Sequence, residues 1–198
     1  MSTSVLYMSM SLDGFITGPD DRPDQGLGAG GERLHAWLGD GSGEGVNAYR
    51  PSGVSGTVFD ELMSTGAVVV GRRTFDLAGG WGGDHHDGVP IFVVSRRGPD
   101  ADPVRAPNVH YVTDGVESAM AQAKQAAGGK DVLVHGARLA QLALRAGVLD
   151  EMEIHLLPVL LGAGRRLFDG LGPDHIELAL TRVIDAPGVT HLRYRVQR

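Results

Sequence analysis

The chain has 198 residues, of which 42% are hydrophobic and 21% charged, and its formal net charge is −6. These values are typical of a globular protein, and the acidic balance disfavours nonspecific nucleic-acid binding, which needs a basic surface. The absence of cysteine excludes disulfides, zinc–thiolate sites and thiol nucleophiles, while the lack of a long apolar run or an export signal predicts a cytoplasmic protein with no membrane partner.

The first third of the chain alternates short regular elements with long loops. The pattern predicts a strand at residues 5–10, a turn at 11–18, a short helix at 32–38 and a second helix at 57–65. Glycine, proline and aspartate mark residues 18–31 as a loop, and glycine marks residues 39–56 as another. We expect Thr57 to cap the second helix and Gly66 to lie just beyond its end.

The next stretch is the centre of the sequence. Residues 67–70 are small or β-branched and apolar, which predicts a strand buried on both faces. Gly71 lets the backbone approach a ligand, Arg72 and Arg73 add positive charge, and Thr74 offers a hydroxyl that can cap a following helix. This combination is suited to binding phosphate. The alternative is a strand end followed by two solvated arginines.

Residues 90–97 repeat this pattern, since an apolar strand is followed by Ser95, Arg96 and Arg97. Ligands gather at the carboxyl ends of parallel strands. If the two strands are parallel neighbours, four arginines line one rim.

A glycine-rich loop, residues 77–88, separates the two strands. Trp81 in this loop is either a lid over a nearby site or an anchor for the loop. His85 and His86 predict no metal site, because adjacent histidines rarely converge on one ion and no spaced carboxylate partner is evident.

The second half predicts a regular alternation of elements. We expect strands at 109–112, 131–136 and 151–156, helices at 116–127 and 137–149, an apolar loop at 158–168 and a C-terminal antiparallel hairpin at 176–197. The alternation of polar and apolar residues at 151–156 indicates a strand with one face less buried. Together the elements predict a single α/β domain over residues 1–198, with a mostly parallel sheet and an antiparallel end.

The strand–glycine–helix unit at 132–149 resembles a dinucleotide-binding turn, although it lacks the full glycine fingerprint. Such a turn can seat a pyrophosphate on the helix N-terminus while the arginines take a 2′-phosphate. On charge grounds this combination favours NADP over NAD.

Six pieces, taken in order, resemble the dihydrofolate reductase-like superfamily. They are residues 11–16, 70–75, 91–96, 134–139, 147–151 and 158–164. The nearest branch is the C-terminal reductase domain of bifunctional riboflavin-biosynthesis proteins, together with its free-standing bacterial relatives. No cysteine-based deaminase site accompanies it here.

The resemblance implies an NADPH-dependent reductase, a three-layer sandwich with an eight-stranded central sheet, and a homodimer. It places Gly71, Arg72, Arg73, Thr74, Ser95, Arg96 and Arg97 around the adenosine phosphates. It places Gly136, Ala137, Arg138 and Leu139 at the pyrophosphate, and Phe15 and Ile16 near the nicotinamide. His135 stands where the family usually has a glycine, so it either crowds the backbone near the cofactor or points into the core.

Hydride transfer also needs a proton for the substrate. Asp13 matches a recurrent family position and is the first candidate, with turn formation before Gly14 as the alternative. Leu34 stands where counting back from Trp37 would place the acid of a dihydrofolate reductase.

Gly162, Gly164 and Arg165 are candidate contacts for a phosphoribosyl substrate, unless Arg165 is simply solvated. The resulting hypothesis is reduction of a pyrimidine- or pterin-like heterocycle, nearest to 5-amino-6-(5-phosphoribosylamino)uracil. The alternatives are dihydrofolate reductase-type activity and a non-catalytic nucleotide- or flavin-binding module.

Overall fold

The computed structural model describes residues 2–39, 49–98 and 106–197. In chain order the strands are β1 (Ser4–Ser11), β2 (Phe15–Thr17), β3 (Ala67–Gly71), β4 (Ile91–Val94), β5 (Val109–Val112), β6 (Val132–His135), β7 (Glu151–Leu157), β8 (Arg165–Arg166), β9 (Leu178–Ala186) and β10 (Val189–Val196). The α-helices are α1 (Gly53–Met63), α2 (Arg72–Leu77), α3 (Val116–Ala126) and α4 (Ala137–Arg145). Two 3-10 helices cover Gly31–Leu38 and Gly79–Gly83.

Eight strands form one central sheet in the order β5-β4-β3-β6-β1-β7-β10-β9. The six strands from β5 to β7 are parallel, whereas β10 runs antiparallel to both β7 and β9. The short strands β2 and β8 pair separately and antiparallel. This confirms the predicted α/β fold with a mostly parallel sheet and an antiparallel C-terminal pair.

The core lies on both faces of the sheet because the side chains of each parallel strand alternate between them. On β1, Leu6 packs into the cluster that holds α3 and α4, while Val5 and Tyr7 pack into the cluster that holds Phe75 of α2. All three β1 side chains are at most 3% exposed. The two layers of helices therefore leave the interior strands no free face, as in a three-layer sandwich.

The beginnings of α1 and α2 differ from the prediction. Helix α1 starts at Gly53, four residues before Thr57, because Ser55 and Val58 are buried and this packing outweighs the poor helix propensity of two glycines. Helix α2 follows β3 directly, with Gly71 and not Thr74 at its N-cap. Strand β3 and helix α2 are thus joined without a loop.

The prediction that β7 has a less buried face is wrong. Strand β7 lies between β1 and β10, and Met152 to His155 are all buried. Glu153 is tolerated there because Arg182 of β9 donates a hydrogen bond to it over 3.0 Å. Helix α4 is also shorter than predicted, since it ends at Arg145.

None of the helices in the described ranges is long and apolar enough to cross a membrane.

Candidate active site

The carboxyl ends of β3, β4 and β6 lie at one edge of the sheet. The three strands are parallel neighbours, with Gly71 opposite Val94 and Val70 opposite His135. The turns that follow them therefore meet at this edge. The predicted convergence of the two arginine-ended strands is confirmed.

A cavity of about 610 Å³ opens beside this edge, on the sheet face covered by α1 and α2. Nine aromatic and imidazole side chains line it: Tyr7, Trp37, Tyr49, Phe59, Trp81, His35, His85, His135 and His155. This volume and this mixture of apolar wall with few polar groups are typical of small-molecule sites.

Gly136 brings the backbone close to this cavity at the start of α4. Its φ is +95°, and a Cβ there would lie 2.4 Å from Thr74 Oγ1, so only glycine fits without a shift. Gly136 is the N-cap residue of α4, and both Gly136 and Thr74 line the cavity. The N-terminus of α4 therefore borders the cavity, and Gly136 has no side chain that would separate the backbone from a ligand.

Asp21 lies at the cavity wall between two arginines from different elements. Arg73 Nη2 donates to Asp21 Oδ1 over 2.7 Å, and Arg165 Nε lies 3.4 Å from Asp21 Oδ2. Burial favours a higher pKa for Asp21, but the hydrogen bonds from both arginines outweigh it and lower the pKa below its usual value. Asp21 thus stays ionised, and the three groups carry a net charge of +1. Sequence reasoning missed Asp21, since only the tertiary fold brings this loop residue to the arginines.

The cavity gathers only part of the predicted site. The predicted contacts in its wall are Ile16, Arg73, Thr74, His135, Gly136 and Arg165. The others lie outside it: Phe15, Gly71, Arg72, Ser95, Arg96, Arg97, Ala137, Arg138, Leu139, Gly162 and Gly164. Among these, the side chains of Ala137 and Leu139 belong to the core. Arg72 donates to Asp76 over 2.8 Å, and the Phe15 ring lies 4.5 Å from the Arg166 guanidinium carbon.

Asp13 is held in a turn and does not line the cavity. Ser11 Oγ donates to it over 2.6 Å, and the backbone N–H groups of Leu161 and Gly162 donate over 3.1 and 2.7 Å. These bonds, that from Ser11 above all, lower the pKa of Asp13 to about 2. Such a carboxyl has no proton to give near neutral pH, so the structure favours the turn-forming alternative over the predicted catalytic role.

Comparison with known proteins gives the family. Residues 3–191 match the RibD C-terminal domain. The chain belongs to the RibD C-terminal domain family. A relative in Bacillus subtilis, the uncharacterized protein YwjB, is 28% identical over 177 residues, which are 85% of this chain and 83% of YwjB.

Solved structures share the fold of this RibD C-terminal domain. A putative riboflavin biosynthesis protein from Shewanella sp. PV-4 superposes with a TM-score of 0.74 at 21% identity, over 99% of each chain. A diaminohydroxyphosphoribosylaminopyrimidine deaminase/5-amino-6-(5-phosphoribosylamino)uracil reductase from Thermotoga maritima gives a TM-score of 0.62 at 13% identity. That match covers 99% of this chain and 57% of the longer protein. The likeness places the RibD C-terminal domain in the dihydrofolate reductase-like fold.

In this RibD C-terminal domain, His135 points to the cavity and ends a chain of three imidazoles. Its Nδ1 donates to the carbonyl of Tyr7 over 3.1 Å, and its Nε2 lies 3.2 Å from His85 Nε2. His85 Nδ1 lies 2.8 Å from His86 Nδ1, and His86 Nε2 lies 3.1 Å from the carbonyl of Thr65. Every ring nitrogen of this chain, the closed chain hereafter, lies within hydrogen-bond distance of a polar atom, and His86 Nε2 has two such neighbours, the carbonyl of Thr65 and its hydroxyl at 3.3 Å.

Burial keeps the cavity end of the closed chain neutral. It is the largest cause that lowers the pKa of His85 to about 2 and the pKa of His135 to about 4. The Trp81 ring packs edge-on against His85 at 4.7 Å and against Phe75 at 6.0 Å, so Trp81 anchors its loop while it lines the cavity. In the described ranges, no group of three or more histidines and carboxylates is placed to hold a metal ion.

Proposed function

We propose that this RibD C-terminal domain is an NADPH-dependent reductase of a pyrimidine- or pterin-like heterocycle. The nearest activity is reduction of 5-amino-6-(5-phosphoribosylamino)uracil in riboflavin biosynthesis, which the Thermotoga maritima protein carries in its name. The observation that carries the proposal is the cavity at the edge where β3, β4 and β6 end, since its aromatic wall meets a glycine-opened helix start and an arginine-rich rim.

The residues present fit a phosphate-bearing dinucleotide. Gly136 leaves the first turn of α4 open to a pyrophosphate, and a side chain there would meet Thr74. Arg73 and Thr74 at the wall, with Arg72 and the residues 95–97 farther along the same edge, would hold the adenosine phosphates. Ile16 would lie against the nicotinamide, and Phe15, buried beneath Arg166, would support it. Once bound, NADPH supplies the hydride.

The chain's own contribution is to exclude water and to position the substrate. Among the described residues, two carboxylates line the cavity, Asp21 and Asp84. Asp21 is ion-paired, and the exposed Asp84 accepts the backbone N–H of Gly88 over 3.1 Å. Neither is a buried acid of the kind that a dihydrofolate reductase-type reaction would use, which argues against that alternative.

Arg165 supports a substrate with an anionic arm. It lines the cavity and shares Asp21 with Arg73, so the three groups keep a net charge of +1. The phosphoribosyl group of a substrate would contact Arg165, while the heterocycle of the same substrate enters the aromatic part of the cavity. Gly162 and Gly164 are exposed on the loop that leads to Arg165 and would contact the same arm.

Cofactor titration followed by turnover tests this function. We expect NADPH to bind with quenching of tryptophan fluorescence, because Trp37 and Trp81 line the cavity. We expect its oxidation to require a ribosylaminouracil, with phosphorylated substrates preferred over their unphosphorylated forms. Dihydrofolate, pterins and flavins complete the substrate panel.

The absence of a buried acid from the described cavity wall favours one second candidate, a nucleotide- or flavin-binding module without turnover. Tight binding of NADPH or flavin with no oxidation on any heterocycle of the panel would identify this module. Loss of binding as well would overturn both candidates.

We further propose a homodimer formed through β9. This strand ends the sheet and exposes Leu180 and Val183, each 54% accessible, while Leu160 on the loop before β8 is 69% accessible. Apolar residues on an unpaired edge favour association. Sedimentation of the wild type against Leu180→Lys tests it, and a wild-type monomer would overturn it. The cytoplasmic location and the absence of nucleic-acid and metal binding stay predictions of the sequence.

A further inference from the structure

His155 lines the cavity and carries a buried ring nitrogen that has no partner. The side chain comes from the interior strand β7 and is 2% exposed, and its ring packs at 4.4 Å from the ring of Trp37. Among the described residues, its Nε2 has no hydrogen-bond partner. A buried polar atom without a partner is costly, and on a residue that lines a cavity this cost is removed when a bound ligand supplies the partner.

Behind His155, two residues complete a line of hydrogen bonds that we call the open chain, Ser55–His191–His155. His155 Nδ1 lies 2.8 Å from His191 Nδ1, and His191 Nε2 lies 3.0 Å from Ser55 Oγ. All three residues are at most 7% exposed. The open chain therefore begins on α1, crosses β10 and ends at the cavity.

The position of the hydrogens in the open chain decides whether His155 Nε2 donates or accepts a hydrogen bond. The contact between the two Nδ1 atoms holds one hydrogen. If His155 carries it, a neutral His155 presents a lone pair at Nε2 and accepts. If His191 carries it, His155 Nε2 carries a hydrogen and donates, while Ser55 donates to His191 Nε2. The open chain thus switches His155 Nε2 between acceptor and donor without any change in net charge.

Burial supports the neutral state of both rings. It is the largest cause that lowers the pKa of His155 well below its ordinary value, with His191 next. Burial also lowers the pKa of His191, followed by the charge of Arg182. The hydrogen-bonding role of Nε2 is then set by the tautomer and by the ligand.

A second unpaired atom in the same wall strengthens the argument. Thr17 Oγ1 is buried without a partner in the described part of the chain, and Thr17 lies opposite Arg165 across the β2–β8 pair. The other two such atoms, on Glu153 and Arg182, belong to an ion-pair network and do not line the cavity. The cavity therefore lacks two hydrogen-bonding groups that a ligand would bring.

We propose that His155 Nε2 is the contact that selects the heterocycle of the substrate, with His191 and Ser55 as positioning residues. The inference rests on the proposed reductase function. The ligand edge that fits a donor–acceptor switch is a lactam, in which a ring carbonyl and a ring N–H are adjacent. Thr17 Oγ1 forms a hydrogen bond with a hydroxyl of the phosphoribosyl group that Arg165 binds. Uracil- and pterin-type rings share this lactam edge, and rings without it leave Nε2 unpaired.

The test compares His155→Phe and His155→Gln with wild type in the NADPH complex. We expect His155→Phe to raise the KM of the ribosylaminouracil about tenfold to a hundredfold, the cost of an unpaired buried group. NADPH affinity should stay within about twofold, and His155→Gln should recover part of the loss. The matched control is His175→Phe, because His175 is exposed and outside the cavity wall, and it should behave as wild type.

A ligand-side measurement covers the case in which His155→Phe does not fold. Wild-type protein is titrated with uracil- and pterin-type rings and with matched analogues that lack the lactam carbonyl, and imidazole nitrogen NMR follows the tautomer of His155. Weaker binding of the analogues, with a nitrogen shift at His155 on lactam binding only, supports the proposal. Equal affinities and an unmoved His155 signal overturn it while turnover continues. Absence of any NADPH-dependent turnover overturns the reductase function and this proposal together.

Discussion

Two lines of histidines reach the same cavity, and they differ in how they end. The closed chain, His86–His85–His135, runs between the carbonyls of Thr65 and Tyr7 and leaves no ring nitrogen unpaired. The open chain, Ser55–His191–His155, leaves His155 Nε2 without a partner. Histidines therefore stabilise the fold in the closed chain, whereas in the open chain one of them offers a contact to a ligand. The unpaired atom, and not the number of histidines, marks the functional line.

The largest expected effect comes from breaking the closed chain at His86→Phe. The change removes the partner of His85 Nδ1 and the ring nitrogen that contacts Thr65, which we expect to lower the free energy of unfolding by about 3 kcal/mol. Denaturant unfolding measures it, and His110→Phe on the exposed side of β5 is the control. Substrate selectivity of the folded fraction should not change. A loss below about 1 kcal/mol would show that the closed chain is not architectural.

Acid tests the same chain without a disruptive mutation. The folded pKa values of His85 and His135, about 2 and about 4, lie below the ordinary 6.5. The unfolded state therefore binds more protons below about pH 6.5, so stability is complete above that pH and falls as the pH drops toward about 4. Each such histidine contributes up to about 1.4 kcal/mol per pH unit. Unfolding between about pH 7.5 and about pH 5 should show a shallower loss for His135→Gln than for wild type, and equal slopes would contradict the assignment.

The third prediction concerns whether arginines outside the cavity, on the same edge of the sheet, also bind the cofactor. Arg72 and Arg96 follow β3 and β4 at the same edge but do not line the cavity. If they hold the 2′-phosphate, the double variant Arg72→Ala/Arg96→Ala should weaken NADPH about tenfold more than NADH. Arg22→Ala, whose guanidinium pairs with Asp24 in an exposed loop, is the control. An equal loss of affinity for NADPH and NADH would contradict this assignment and would leave the arginines around Asp21 as the candidate phosphate contacts.

The smallest effect is expected at the far end of the open chain. Ser55→Ala leaves His191 Nε2 without its partner in either tautomer, so KM for the lactam substrate should rise a few-fold, about threefold, with kcat unchanged. Ser52→Ala at the N-cap of the same helix is the matched control, because Ser52 makes no side-chain cap bond. A fall in kcat with unchanged KM would contradict a role in positioning His155.

Much of the fold could be predicted from the sequence because parallel strands buried on both faces appear as short apolar runs. Residues 67–70, 91–94 and 132–134 are such runs, and the rule for ligands at strand ends then placed the site. Gly136 was found in the same way, as a glycine between a buried strand and a helix. These features depend on near neighbours in the sequence.

The open chain could not be predicted because it depends on long-range register. His155 meets His191 only through the antiparallel pairing of β7 and β10, and Ser55 comes from a helix that starts earlier than expected. The polar residues Glu153 and His155 gave β7 the alternation of a half-exposed strand, although distant partners bury both. Asp21 was missed for the same reason, since its arginine partners lie on α2 and β8.

The position of β1 has a consequence for the order in which the protein is made. This strand precedes β6 and β7 in the chain, yet it lies between them in the sheet, with Ser4 opposite Val132 of β6 and Val5 opposite Glu151 of β7. It has no neighbour to pair with until the second half of the chain has been synthesised, and such distant pairing slows folding. Tyr7 and Ser9, which line the cavity, belong to β1. The cavity is therefore complete only once β6 and β7 have paired with β1.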